Sequence, residues 1–240
     1  MKRILPIALC LFAIGACTNI ATVETEAGLV RLTACTQGII RVEKLAPGAP
    51  EVRDSSLCVI LQPQKVRASV KRTADAVVLS TDSLSARVDK ASGCVSFSAK
   101  GRKLLEEKPG GFSMTPMDGG KPAYSISQTF TLEPEEAIYG LGQHRYGKLN
   151  WRGETVEIFN KNMDISIPVV HSVKGWGLYW DNTCKGLFED NGDGMTLSSE
   201  TGDKVDYYFV WGGNADGVIR GLHQLSGTAP MNALWSYGFI

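Results

Sequence analysis

Period-two alternation limits what this chain can become more than any other feature. GLVRLTA, GIIRVEKL, KVRASVKR, AVVLS, SLSARVD, CVSFSA, YSISQTFTL, ETVEIF, SIPVVHS, GWGLYWD and VDYYFVWG are short, rich in Val, Ile, Tyr and Phe, and bounded by Gly, Pro, Asp or Ser. Successive side chains of a strand point to opposite faces, so runs such as SISQTFTL mark strands with one buried and one wet face. So many strands in one chain predict two packed antiparallel sheets, an all-β sandwich. The 240 residues, 43% of them hydrophobic, suffice for a sizeable core in one domain or two. One short helix is expected near the end. Asn214 caps it, Asp216 sits in its first turn, Val218, Ile219, Leu222 and Leu225 share a face, and Gly227 with Pro230 stops it.

Charge excludes one class of partner. Basic and acidic side chains number 25 each and form no like-charge block, so nucleic acid is not an expected ligand. The N-terminus reads as an export signal: Lys2 and Arg3, an apolar run Ile4 to Ile14 too short to span a bilayer, then Gly15-Ala16 before Cys17. Ile14-Gly15-Ala16-Cys17 resembles the bacterial lipobox, which implies cleavage after residue 16, diacylation of Cys17 and a membrane-anchored lipoprotein of the periplasm, outer membrane or cell surface. Residues 17–27 are read as its tether. Cys35, Cys58, Cys94 and Cys184 then remain in the mature chain. None has metal-ligand spacing; buried thiols are expected, with a single disulfide as the alternative.

YGLGQHRYGKLNWRG, VEIFNKN, IPVVHSVKGWGLYWDN, VDYYFVWG, LSGTAPM and WSYGF follow one another in that order. This succession resembles the N-terminal domain of glycoside hydrolase family 31, most closely its α-xylosidase-like members. The resemblance implies a galactose-mutarotase-like β-sandwich over residues 28–230, with 231–240 opening a (β/α)8 catalytic barrel that the chain does not include. It also implies a retaining mechanism whose two carboxylates, roughly 5 Å apart, belong to the barrel. No catalytic residue is therefore expected here, and Asp164, Asp181, Glu189 and Asp190 are read as turn and surface carboxylates. The implied role is that of an accessory, carbohydrate-contacting domain of an exported α-glycosidase acting on an α-linked xyloside or glucoside, with no cofactor.

Within that frame, the turn after VEIFN is implied to project over the barrel mouth, with Asn162 contacting substrate hydroxyls. An amide can donate and accept there without adding charge beside two catalytic acids. Asn160 is read as shaping the turn, Asn162 either as this sugar contact or as a second turn-shaping residue, and Lys161 as solvated. Gly140 and Gly142 would permit close backbone approach around Leu141, while Gln143, His144 and Arg145 are read as reaching across a domain interface. His144 and His171 lack a carboxylate partner in sequence and are read as structural. EDNGDGMTLSSE, Glu189 to Glu200, nearly fits a calcium loop, but no helices flank it; a hairpin turn is expected and no metal. The alternative function is a complete, non-catalytic glycan-binding surface lipoprotein that uses Trp176, Tyr179 and Trp180 as its platform.

Overall fold

The computed structural model describes residues 19–50, 56–62, 64–118, 123–192 and 194–238. The export signal and Cys17 lie outside the described residues. In chain order the first strands are β1 (Ile20–Thr25), β2 (Gly28–Ala34), β3 (Ile39–Leu45), β4 (Ala68–Arg72), β5 (Ala76–Thr81) and β6 (Ser85–Asp89). Then come β7 (Val95–Ala99), β8 (Arg102–Pro116), β9 (Tyr124–Thr131), β10 (Ile138–Gln143) and β11 (Thr155–Ile158). The last are β12 (Ile165–Ser172), β13 (Trp176–Trp180), β14 (Gly186–Asp190), β15 (Met195–Gly202) and β16 (Val205–Trp211), followed by helix α1 (Ala215–Ser226).

These strands form a seven-stranded sheet, β1-β2-β3-β16-β13-β12-β10, and a nine-stranded sheet, β11-β14-β15-β9-β8-β7-β6-β5-β4. Alternation decides which residues meet between them. On β16, Val205, Tyr207 and Phe209 face inward, and on β13 Trp176, Leu178 and Trp180 do the same. They meet Phe97 and Phe130 from the other sheet: Phe97 stacks on Phe209 with ring centroids 4.0 Å apart, and Phe130 meets Tyr207 edge-on at 5.3 Å. Each such side chain contributes about 1.5–3 kcal/mol by leaving water. The all-β sandwich of two antiparallel sheets expected from the sequence is the fold observed.

A polar bridge crosses this core. Glu107 of β8 accepts hydrogen bonds from Lys44 Nζ of β3 at 2.8 Å, Tyr207 Oη of β16 at 2.8 Å and the Val95 amide at 2.7 Å. Every partner is buried, so the carboxylate is taken out of water only because its oxygens are satisfied.

The outer face of the seven-stranded sheet is covered in part by α1 and the stretch 56–62. Tyr179, Tyr208, Val210 and Ile39 pack there against Leu225, Leu222, Val59 and Leu61. Asn214 caps the helix, its side chain accepting from the Gly217 amide at 2.9 Å. Val218 and Leu225 are buried as the apolar stripe predicts, while Ile219 stays 45% exposed.

The structure corrects several expectations. The tether of residues 17–27 gives way at Ile20, because β1 pairs with β2 (Val23 opposite Val30) and buries Ala21 and Val23. Strands β8, β14 and β15 lie outside the alternating runs read from the sequence; β8 runs through Pro109-Gly110-Gly111 by a register shift between Glu107 and Phe112, and β15 pairs with β9, Met195 opposite Phe130. Glu189 to Glu200 forms the expected hairpin, of β14 and β15, with Asp190 opposite Met195; Asp193 lies outside the described residues. Cys35, Cys58, Cys94 and Cys184 are free; Cys35 and Cys94 are half-buried, whereas Cys58, outside any strand, and Cys184 are exposed. Asp164 and Asp190 are buried rather than surface groups, because each holds a cation or amide of a neighbouring loop. Trp176, Tyr179 and Trp180 are all buried, the tryptophans in the core and the tyrosine beneath α1, so the hairpin offers no aromatic platform.

Candidate functional site

The segment that opens at β10 departs at once from a regular strand. Leu141 takes a left-handed φ of 64° and is buried, and the pairing of β10 with β12 shifts between Gly140 and Gly142. A Cβ on Gly140 would lie 2.3 Å from the Val169 carbonyl oxygen, and one on Gly142 would lie 2.1 Å from that of Ile165. Only glycine permits this approach, which confirms the close packing expected around Leu141.

After the bulge the chain loops out and returns to the same edge. Asn150 Oδ1 accepts from the Ile138 amide at 3.1 Å, the Trp151 amide donates to Ile138 O at 2.8 Å, and Trp151 Nε1 donates to Gly140 O at 2.9 Å. Arg152 then locks the return: its guanidinium meets Asp190 Oδ2 at 2.5 Å and the carbonyls of Glu133 and Glu136 at 2.8 and 2.5 Å. Burial alone raises the Asp190 carboxyl pKa, but the Gly153 amide and Arg152 outweigh it and hold the group below its ordinary value. Between these anchors the loop presents exposed Arg145, Tyr146, Lys148 and Leu149. The Tyr146 ring is set by His144, which lies nearly parallel at 5.7 Å, and by Trp151, which meets it edge-on at 6.1 Å.

The second segment is the turn from β11 to β12. Asn160 Oδ1 accepts from the Ser166 amide at 2.7 Å, and Ser166 Oγ accepts from the Phe159 amide at 3.1 Å and donates to its carbonyl at 3.0 Å. Asn160 is thus a turn-holding residue. Lys161 is exposed, as expected, and pairs at the surface with Glu157 at 2.8 Å while lying 3.7 Å from Asp164. Met163 is left-handed at φ 70°. At the tip, Asn162 is exposed, and its side chain makes no hydrogen bond among the described residues.

The two segments touch. The Arg145 amide donates to Asp164 Oδ1 at 3.3 Å, and Arg145 Nη1 lies 3.3 Å from Met163 Sδ. Asn162 and the Tyr146 loop therefore share one end of the sandwich. Among the described residues neither histidine has a carboxylate partner: His144 Nε2 contacts Leu141 O at 2.7 Å, and burial lowers the pKa of His171. The assembled edge offers an amide, a phenol and a guanidinium, groups that can hydrogen-bond and stack. Sequence reasoning singled out Asn162 but missed Tyr146 and Asp164. Nothing in their spacing marks them, since both act through contacts between segments.

Residues 29–189 match the family described as the glycosyl hydrolase 31 N-terminal galactose mutarotase-like domain. An α-xylosidase of Saccharolobus solfataricus is 30% identical over 208 residues, which is 80% of this chain and 27% of that protein. Among solved structures, a family 31 α-xylosidase of Xanthomonas citri superposes with a TM-score of 0.82 at 20% identity, covering 92% of this chain and 41% of its own. A Flavobacterium johnsoniae dextranase of the same family, complexed with glucose, gives 0.75 at 24% identity, covering 94% of this chain and 30% of its own. At such identities the two structures attest the fold alone. This chain spans well under half the length of each of these proteins, and the match to the family description, set on the observed sandwich, shows that it belongs to the N-terminal galactose mutarotase-like domains of glycoside hydrolase family 31.

Proposed function

We propose that this domain serves an exported, retaining α-glycoside hydrolase of the α-xylosidase or α-glucosidase type in carbohydrate catabolism. In this reading the turn around Asn162 reaches a catalytic barrel that carries the two carboxylates, and the amide bonds a hydroxyl of an α-linked oligosaccharide near the scissile bond. One observation carries it: Asn162 holds an exposed amide with no partner among the described residues, at the tip of a turn whose neighbouring side chains are committed to holding it. The α-xylosidase relative supports the sugar class. The site itself supplies contact and orientation, while bond cleavage belongs to the barrel pair.

The test uses an enzyme that includes the barrel. Asn162→Ala leaves a substrate hydroxyl unpaired in a closed site, which costs about 1–3 kcal/mol and lowers kcat/KM about 5- to 150-fold. Asn160→Ala lowers the melting temperature with little change in turnover per folded molecule. If Asn162→Ala leaves kcat/KM for matched α-xylosides and α-glucosides within about twofold, under roughly 0.5 kcal/mol, the assignment is wrong.

The same reading places the protein on a membrane through a diacylated Cys17, two chains being enough for stable anchoring where one is not. Intact-mass measurement is expected to find the lipidated cysteine as the first residue, and Cys17→Ser to release or block processing. An unmodified N-terminus elsewhere overturns the anchor.

A further inference from the structure

We infer that Asp164 is a positioning residue that latches the turn bearing Asn162 to the loop bearing Tyr146, so that both are presented as one unit. The inference deepens the proposed sugar contact and rests on that reading for its functional meaning, though the latch itself is a matter of geometry. Asp164 directly precedes β12 and is only 8% exposed. Its Oδ1 accepts from the Arg145 amide at 3.3 Å, its Oδ2 lies 3.7 Å from Lys161 Nζ, and its own amide donates to Lys161 O at 3.1 Å. Lys161 is held in turn by Glu157 at 2.8 Å. One buried residue thus ties the two loops: its carboxylate takes a backbone amide of the first and lies beside a lysine of the second, while its own amide donates to that lysine's carbonyl.

The strain in the turn explains why such a latch matters. Met163 is left-handed without being glycine, a conformation that persists only where surrounding contacts over-determine it. Met163 lies between Asn162 and Asp164, and its sulfur is 3.3 Å from Arg145 Nη1. With the carboxylate removed, Met163 is free to relax toward ordinary backbone, and the relaxation swings its neighbour Asn162 away from the Tyr146 loop. The charge-assisted bond to a backbone amide is the stronger of the ties, and an amide oxygen in place of the carboxylate preserves much of it.

Amide hydrogen exchange on the 240-residue chain tests the latch. Asp164→Ala is expected to speed exchange at Arg145 and at the amide of residue 164, which donates to Lys161 O, together by about tenfold or more, the scale of one lost charge-assisted bond, with amides of β13 and β16 unchanged. Asp164→Asn keeps an acceptor for Arg145 and is expected to restore its protection to within about threefold of the parent. Should the alanine variant not fold, Asp164→Ser, whose hydroxyl is too short to reach, is read in the same way. Exchange at Arg145 within about twofold of the parent, or equal loosening of β16, overturns the latch. The sugar reading fails separately: an intact latch with Asn162→Ala silent in kcat/KM removes the contact and leaves the positioning standing.

Discussion

Asp190 shows how a single side chain holds the loop that carries the exposed tyrosine. Its carboxylate takes Arg152 and the Gly153 amide, and these hold its pKa in the folded chain below its ordinary value despite burial. A group with a depressed folded pKa stabilises the fold at pH above its unfolded value, about 3.9, and loses that contribution as pH falls through the folded value. The stability gap between the parent and Asp190→Asn should therefore be full at pH 6 and shrink below about pH 4. Urea titrations at the two pH values measure it, and a gap independent of pH would exclude the charge as its source. The thiols differ on the same physical ground: burial pushes Cys35 up to about 11, so it carries little nucleophilic thiolate at neutral pH.

At the scale of elements, α1 is anchored by a cap and by burial on one side. Asn214 satisfies the Gly217 amide, one of the donors a helix start leaves open. Asn214→Ala should cost about 1 kcal/mol in urea unfolding, while Asn214→Asp, which still accepts and favours the helix dipole, should cost little. Equal losses in the two variants would show that the cap bond is not the stabilising feature. At the edge of the seven-stranded sheet, the folded-back Asn150-Trp151 pair satisfies donors and acceptors of β10, and this covers an edge that would otherwise invite pairing with another chain.

For the whole molecule, the bridge of Lys44, Glu107 and Tyr207 links the two sheets through their core. Glu107→Ala leaves a buried ammonium without its carboxylate and should cost about 3–5 kcal/mol, whereas Glu107→Gln keeps an acceptor and should cost less. Denaturant unfolding of the two variants decides it, and an alanine loss under about 1 kcal/mol would mean that the core relaxes around the lysine. Such a bridge is compatible with a rigid sandwich that holds its two sheets in fixed register.

Much of this architecture was legible in the sequence, because alternation and caps are local signals. GWGLYWD and VDYYFVWG carry the two-residue period of half-buried strands, and Asn214 with Gly227 brackets the helix. The order of motifs from GLGQH to WSYGF carried the family. What alternation does not contain is the identity of partners distant in the chain. It left Ile20–Thr25 looking like a tether, since a strand with polar outward residues declares itself only when β2 lies beside it. It left Asp164 and Asp190 looking like surface acids, since a carboxylate's burial depends on which amide or guanidinium another loop brings to it. It also left Trp176 and Trp180 looking available to a ligand, when the opposite sheet covers them. Sequence thus determined which stretches form strands and which faces are apolar, whereas tertiary structure alone decided what each face meets, because those contacts join residues far apart in the chain.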